Sequence, residues 1–241
     1  MNSTNHIKAI FFDLDGTLRH SVPSGDQILN EFLIELGLTI NAEDHLSAMR
    51  WEYRYWANSA DLRDDIIAHS VDSENFWVEY TRRRLLALNF SLQQSADLAP
   101  KVSAHMGETY KPASIVPEDV RRVLPELKQA GYIMAVISNR DKPFQETMDT
   151  HSLSEFFSFS LAGGEVDSYK PEPAIFEHAL RRANVTARET VYVGDNYFAD
   201  VIGSRRAGLQ PVLYDPSGIF PDADCVTIKS FDELISVIKD I

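Results

Sequence analysis

A chain of 241 residues, 44% of them hydrophobic, is long enough for one large domain or a domain carrying an insertion, with a sizeable core. Its formal net charge of -13 argues against a general nucleic-acid or acidic-membrane surface, so a phosphate-bearing substrate would need local positive charge from a metal or a placed lysine. The single cysteine, Cys225, forms no intramolecular disulfide, MNSTNHIK does not read as a secretory signal, and no apolar run approaches about 18 residues, so the chain is expected to be soluble and cytoplasmic.

Residues 7–18 read IKAIFFDLDGTL. The apolar run of Ile7, Ala9, Ile10, Phe11 and Phe12 has the signature of a strand buried on both faces. It stops at Asp13-Leu14-Asp15-Gly16-Thr17, two carboxylates one residue apart and a glycine that lets the backbone turn. A plain Asx-rich turn has the same composition. Position favours chemistry, because open parallel sheets place it beyond the carboxyl ends of their strands.

Strand character then vanishes. Residues 26–36 place Ile28, Leu29, Phe32, Leu33 and Leu36 at helical spacing, with Gly37 in the position favoured after a helix. Asn41-Ala42-Glu43-Asp44 reads as a cap and first turn, opening a helix through Trp51, Tyr55 and Trp56. Residues 73–88 and 92–109 are also helical in pattern. Residues 19–111 are therefore expected to form a largely helical insertion, with Pro112 and Pro117 marking the return.

Residues 117–130 are amphipathic through Val120, Val123, Leu124 and Leu127, Gly131 ends that helix, and residues 132–137 read as a buried strand. Helices are expected at 144–150, 173–183, 200–207 and 231–241, and strands near 157–161 and at 190–193, 211–214 and 224–228. This alternation indicates a parallel sheet covered on both faces. The strand at 7–12 belongs to it. The expected organisation is an α/β core of residues 1–18 and 112–241, interrupted by a helical block of residues 19–111.

Three further strand ends carry polar residues suited to one reaction. One runs into Ser138-Asn139 and another into Gly194-Asp195, with Asp200 near the start of the next helix. Between them, Lys170 sits in the proline-stiffened Tyr169-Lys170-Pro171-Glu172-Pro173. Taken as one site, Asp13, Asp195 and a backbone carbonyl can supply oxygen ligands to Mg²⁺, which prefers one or two carboxylates with substrate phosphate. A cation and Lys170 neutralise a transferring phosphoryl group. One carboxylate can act as nucleophile, and a second, on the same side of an extended backbone, as proton donor and base.

The set DLDGT at 13–17, Ser138-Asn139, Lys170-Pro171 and GDNYFAD at 194–200 resembles the four motifs of the haloacid dehalogenase superfamily, in the right order over essentially the whole chain. The resemblance implies a doubly wound, Rossmann-like α/β core with a mobile cap, here of the subclass with a helical-bundle cap domain after the first motif. It implies Asp13 as nucleophile and Mg²⁺ ligand, and Asp15 as general acid/base that gives its backbone carbonyl to the metal. It implies that Ser138 and the Asn139 amide hold phosphate oxygens, and that Lys170 balances charge on nucleophile and phosphate. Asp195 would ligate Mg²⁺ and Asp200 would orient the site from behind the ligands. The dehalogenases proper lack an aspartate where Asp15 stands, so the resemblance favours hydrolysis of a small phosphorylated metabolite, with no nucleic acid, membrane or protein partner expected. A phosphoglucomutase-like transferase and a non-catalytic scaffold are the alternatives.

Plainer roles exist for several of these residues. Lys170 has a surface lysine's composition, Asp200 could cap the helix after it, and Ser138 is an ordinary turn residue. Trp51, Tyr53, Tyr55 and Trp56 at helical spacing read as core rather than as a stacking surface. Arg82-Arg83-Arg84 reads as a solvated helix face, His20 falls in the expected cap hinge where it could approach the site, and His105, His151 and His178 lack metal-ligand spacing.

Overall fold

In the first strand, β1 (Ala9–Phe12), successive side chains point to opposite faces and all four are buried. That doubly buried strand anchors a computed structural model that describes residues 7–241. The chain divides into two units, Met1–His20 with Ile115–Ile241, and Ser21–Ser114. The crossings fall in β2 (His20–Val22) and β3 (Ala113–Ile115), which pair as a two-stranded ribbon.

The intervening unit holds five helices: α1 (Gly25–Glu35), α2 (Ala42–Trp56), α3 (Ala60–Ala68), α4 (Glu74–Ala87) and α5 (Leu92–Thr109). Each starts where a side-chain oxygen can satisfy an orphan N–H: Ser24, Asn41, Ser59, Ser73 and Ser91 each accept from the residue three positions on. The sequence pattern missed α3, a nine-residue helix that buries only Leu62 and Asp65 and so shows little apolar periodicity. Leu29, Leu33, Leu85, Leu88 and Val102 form one cluster. Tyr55, Phe76 and Tyr80 form a second, with Trp51 and Trp56 against it, as the reading of these aromatics as core expects.

In the larger unit the chain continues through α6 (Glu118–Gln129), β4 (Ile133–Ser138), α7 (Gln145–Thr150), β5 (Phe159–Ala162), α8 (Gly163–Val166), α9 (Pro173–Ala183) and β6 (Thr190–Gly194). A π turn at Tyr197–Val201 leads into α10 (Ile202–Arg206), followed by β7 (Gln210–Tyr214), β8 (Val226–Ile228) and α11 (Leu234–Asp240). The six strands are parallel in the order β5-β4-β1-β6-β7-β8. The chain builds outward from β1 through β4 to β5, then returns to the other side of β1 with β6, so the topological switch lies at β1.

Both faces are covered. Phe11, Ala135, Ile137 and Tyr192 pack with Ile175, Phe176 and Leu180 of α9. Ile10, Phe12, Val136 and Val193 pack with Val120, Leu124 and Leu127 of α6 and with Leu234 and Ile238 of α11. This is the doubly wound α/β architecture. Among the described residues, no helix is long and apolar enough to cross a membrane.

Candidate active site

Register places the first carboxylate. Phe12 pairs with Val136 of β4 and Val193 of β6, and the Asp13 N–H extends the ladder by donating to Val193 O at 2.9 Å. Asp13 thus leaves the sheet between the ends of β4 and β6, and is buried there.

Lys170 is the hub. Its ammonium donates to Asp13 Oδ1, to Asp200 Oδ1 at 2.8 Å and to the Tyr192 hydroxyl at 3.0 Å, and the residue is 2% exposed. Tyr192 in turn donates to Ile137 O at 3.2 Å, tying the lysine to β4 and β6 at once. The Asn139 carboxamide fixes the backbone: Oδ1 accepts the Lys170 N–H at 2.6 Å and Nδ2 donates to Lys170 O at 2.9 Å. A cation buried this deeply is tolerated because its three protons meet two carboxylates and a phenol.

Two glycines let the acidic groups converge. Gly16 sits at φ +92°, and a Cβ there would lie 2.2 Å from Asp195 Oδ2. A Cβ on Gly194 would lie 2.3 Å from Asp200 Oδ2. Thr17 locks the first contact, donating its hydroxyl to Asp195 Oδ1 and accepting the Asp195 N–H, both at 3.0 Å. Asp200 does not cap a helix. It lies within the π turn, where Oδ2 accepts the Asn196 N–H at 2.9 Å while Oδ1 takes Lys170. The expected helix start at 200 is displaced because Asn196 Oδ1 caps the turn, accepting from Phe198 and Ala199 at 3.0 Å.

Carboxylate oxygens of Asp13, Asp195 and Asp200 lie within 4.8 Å of one another. Burial, and then the neighbouring carboxylate Asp200 against the opposing pull of Lys170, pushes the Asp13 carboxyl up to about 7. Burial, then Asp13 and Asp200, holds Asp195 well above the usual range. Burial works against the Lys170 charge, but Asp13 and Asp200 outweigh it and hold the ammonium well above its ordinary value. Ionised together, three carboxylates would exceed the one ammonium, which, added to burial, is why Asp13 and Asp195 are raised; a divalent cation would favour their ionised forms. Since both Asp200 oxygens already have partners, Asp13 and Asp195 are the carboxylates better placed to hold it.

Asp15 stands apart from this cluster. Its side chain is 42% exposed, and both oxygens are taken by guanidinium groups: Arg140 Nε donates to Oδ2 at 2.9 Å and Nη2 to Oδ1 at 3.0 Å, with Arg19 Nη1 also on Oδ1. The loop from Leu14 to Arg19 folds back on itself, with Gly16 N–H donating to Arg19 O at 2.8 Å, which brings Asp15 and Arg19 side by side.

Of the residues singled out in the sequence, Asp13, Lys170, Asp195 and Asp200 come together, and Ser138 is buried at the end of β4 beside Ala162 of β5. Asn139 reaches Lys170 with its side chain, a contact that residue order does not reveal. The third carboxylate beside Asp13 and Asp195 is that of Asp200. Tyr192, Thr17, Arg19 and Arg140 were not foreseen in these roles. Arg140 directly follows Ser138-Asn139, and Tyr192 is a polar-tipped residue between Val191 and Val193 of a buried strand; those were the available signals.

Two strand-end aspartates, Asp13 and Asp195, lie with Asp200 of the π turn and the buried Lys170 at the switch point of a doubly wound sheet, where open α/β folds place their ligands. The family model of haloacid dehalogenase-like hydrolases matches residues 7–208, and the chain belongs to that family of hydrolases. It is 28% identical over 213 residues to ribulose-1,5-bisphosphate 5-phosphatase of Halopiger xanaduensis, covering 87% of this chain and 85% of the relative. It is 26% identical over 242 residues to phosphoglycolate phosphatase of Mannheimia succiniciproducens, covering 99% of each. Among solved structures, it is similar to 2-haloacid dehalogenase from Pseudomonas syringae pv. Tomato DC3000, with TM-score 0.56, 24% identity and coverage of 97% of this chain and 99% of that one. At that identity the structural likeness speaks for the fold alone.

Proposed function

We propose that the chain is a Mg²⁺-dependent phosphomonoester hydrolase acting on a small phosphorylated metabolite through an aspartyl-phosphate on Asp13. The observation that carries this reading is the buried Lys170 ammonium shared by Asp13 and Asp200, with Asp195 beside them. Asp13, Asp195 and the Asp15 carbonyl would hold Mg²⁺, which supplies charge neutralisation to the phosphoryl group when bound. Lys170 fixes the Asp13 carboxylate and adds positive charge beside the transferring group. An Asp13 oxygen attacks phosphorus as the bond to the leaving oxygen breaks, and Asp15 gives that oxygen a proton. Water then attacks the same phosphorus, its proton passing to Asp15, and the bond to Asp13 breaks to release phosphate. Ser138 and the Asn139 N–H would receive phosphate oxygens at the end of β4. Asp200 holds Lys170 in place.

The helical unit is proposed as the cap that selects the substrate, in a cytoplasmic enzyme. Two relatives are named for a bisphosphate and for phosphoglycolate, both small phosphate esters with a second anionic group. Asp15 favours phosphate esters over haloacids as substrates, because only the former have a leaving oxygen to protonate.

The test is phosphate release from an aryl phosphate and a panel of metabolite phosphomonoesters, with Mg²⁺ or with chelator, for the wild type, Asp13→Asn and Asp15→Asn. Release that needs Mg²⁺ and both aspartates is expected, with Asp13→Asn lowering kcat by roughly 10⁴-fold or more. No release by a folded, Mg²⁺-binding wild-type protein would overturn the reading.

A further inference from the structure

Asp15, read above as the acid/base, is held by two arginines whose positive charge exceeds its own. Arg140 grips it with a two-bond fork, the strong geometry for guanidinium and carboxylate, and Arg19 adds a third bond. The Arg140 fork does not depend on Asp15 for its position. Its Nη1 donates to Thr147 Oγ1 at 3.1 Å, and its guanidinium lies 5.7 Å from the centre of the Phe144 ring. Arg121 lies nearby, its Nη1 donating to His151 O at 3.3 Å. Burial, and then Arg19, Arg121 and Arg140, holds the His151 imidazole below its usual range. In a chain of net charge -13 this group of arginines is a local exception. The Arg140 side chain is 30% exposed, so a dissolved anion can reach it.

We propose that Arg140, with Arg19, receives a second anionic group of the substrate, a carboxylate or a second phosphate, and that this exchange frees Asp15 to serve the leaving oxygen. The inference rests on the phosphatase reading and adds a substrate class to it: phosphate esters carrying a second negative group. In the exchange, the substrate anion takes the Arg140 Nε–H and Nη2–H bonds now given to Asp15. The fork keeps an anionic partner, because one anion replaces another on it, and the released Asp15 carboxylate takes up from solvent the proton it then gives the leaving oxygen. Asp15 oxygens that now accept from guanidinium groups become available to the reaction. A substrate with a neutral tail offers nothing in exchange and leaves Asp15 in the fork.

The experiment compares kcat/KM of the Mg²⁺-loaded enzyme for 2-phosphoglycolate, 1,3-propanediol bisphosphate and 2-hydroxyethyl phosphate, whose tail is neutral. The wild type is expected to favour at least one anionic substrate by about 10- to 100-fold over the neutral one, the range of a hydrogen bond to a charged group. In Arg140→Gln that ratio is expected to collapse toward one, with Arg140→Lys retaining part of it. A preference for only one anion still supports the proposal and identifies which group the fork takes. Equal turnover of all three by the wild type would overturn it while leaving the phosphatase reading intact. An unchanged ratio in Arg140→Gln, with kcat lowered equally for all three, would make the arginine a structural support and also overturn it. Should Arg140→Gln fail to fold, Arg19→Gln carries the same comparison. Turnover of none of the three, or of any other phosphate ester, by the wild type would overturn both readings.

Discussion

Each unit of the molecule buries a cluster of charges, and the two are built on opposite principles. In the helical unit, Arg84 on α4 is 5% exposed and donates to Asp26 at 2.8 Å and Glu52 at 3.0 Å. The carboxylates draw on neutral donors as well: Tyr80 gives its hydroxyl to Glu52, and Asn30 donates to Asp26 at 3.1 Å, with His45 Nε2 2.8 Å from the same oxygen. Arg82 and Arg83 pair with Glu79 and Asp65. Of the arginine run read from sequence as a solvated face, Arg82 and Arg83 stay partly exposed, whereas α4 turns Arg84 inward with Phe76 and Tyr80. In the larger unit, three carboxylates crowd around one ammonium. In the helical unit each of these carboxylates is met by several donors, charged and neutral. In the larger unit burial and mutual repulsion outweigh the one ammonium and raise Asp13 and Asp195, at a cost in stability that a bound cation would relieve.

The widest difference should come from removing Arg84. Arg84→Ala strands Asp26 and Glu52, and urea unfolding is expected to show a loss of about 3 kcal/mol, at the low end for a broken buried pair because both carboxylates are partly exposed. A loss below about 0.5 kcal/mol would place this cluster among surface pairs and break the comparison.

The opposite sign is expected at Asp13. The folded carboxyl keeps its proton up to about pH 7, whereas an unfolded one releases it near about pH 4. Between those values the folded state binds more protons, so stability falls as pH rises through the window. Asp13→Asn removes that fall. In chelator it should exceed the wild type by roughly 2 kcal/mol at about pH 8 and match it near about pH 4. Equal unfolding midpoints at both pH values would show that the crowding costs nothing.

A smaller effect sharpens the picture of how the one ammonium is held in place. Asn139→Ala keeps the backbone N–H proposed for phosphate but loses both side-chain bonds to the Lys170 peptide. A fall in kcat of roughly 10-fold is expected, the usual scale for groups that orient a site. Unaltered kcat would assign Lys170's position to Asp13, Asp200 and Tyr192 alone.

The parallel core was legible in the sequence because its strands are continuous apolar runs whose carboxyl ends carry Asp13, Ser138 and Asp195. What escaped had weak local signatures. The ribbon of β2 and β3 has three-residue strands, largely exposed, and α3 lacks an apolar stripe. The π turn that carries Asp200 is set by hydrogen bonds that the Asn196 side-chain oxygen accepts from Phe198 and Ala199 N–H, which apolar periodicity does not register.

By itself, the sequence determined which residues stand at strand ends, since alternation, glycine and proline act over a few positions. It also carried the motif order that the resemblance reads. Only the tertiary structure decided the partners: that Asn139 holds Lys170, that Tyr192 shares its ammonium, that Arg84 lies buried, and that Asp15 rests in the fork of Arg140. The reason is physical. Chain propensities are local, whereas a hydrogen bond across 125 residues, such as that from Arg140 to Asp15, exists only once parallel strands bring two loops to one edge of the sheet.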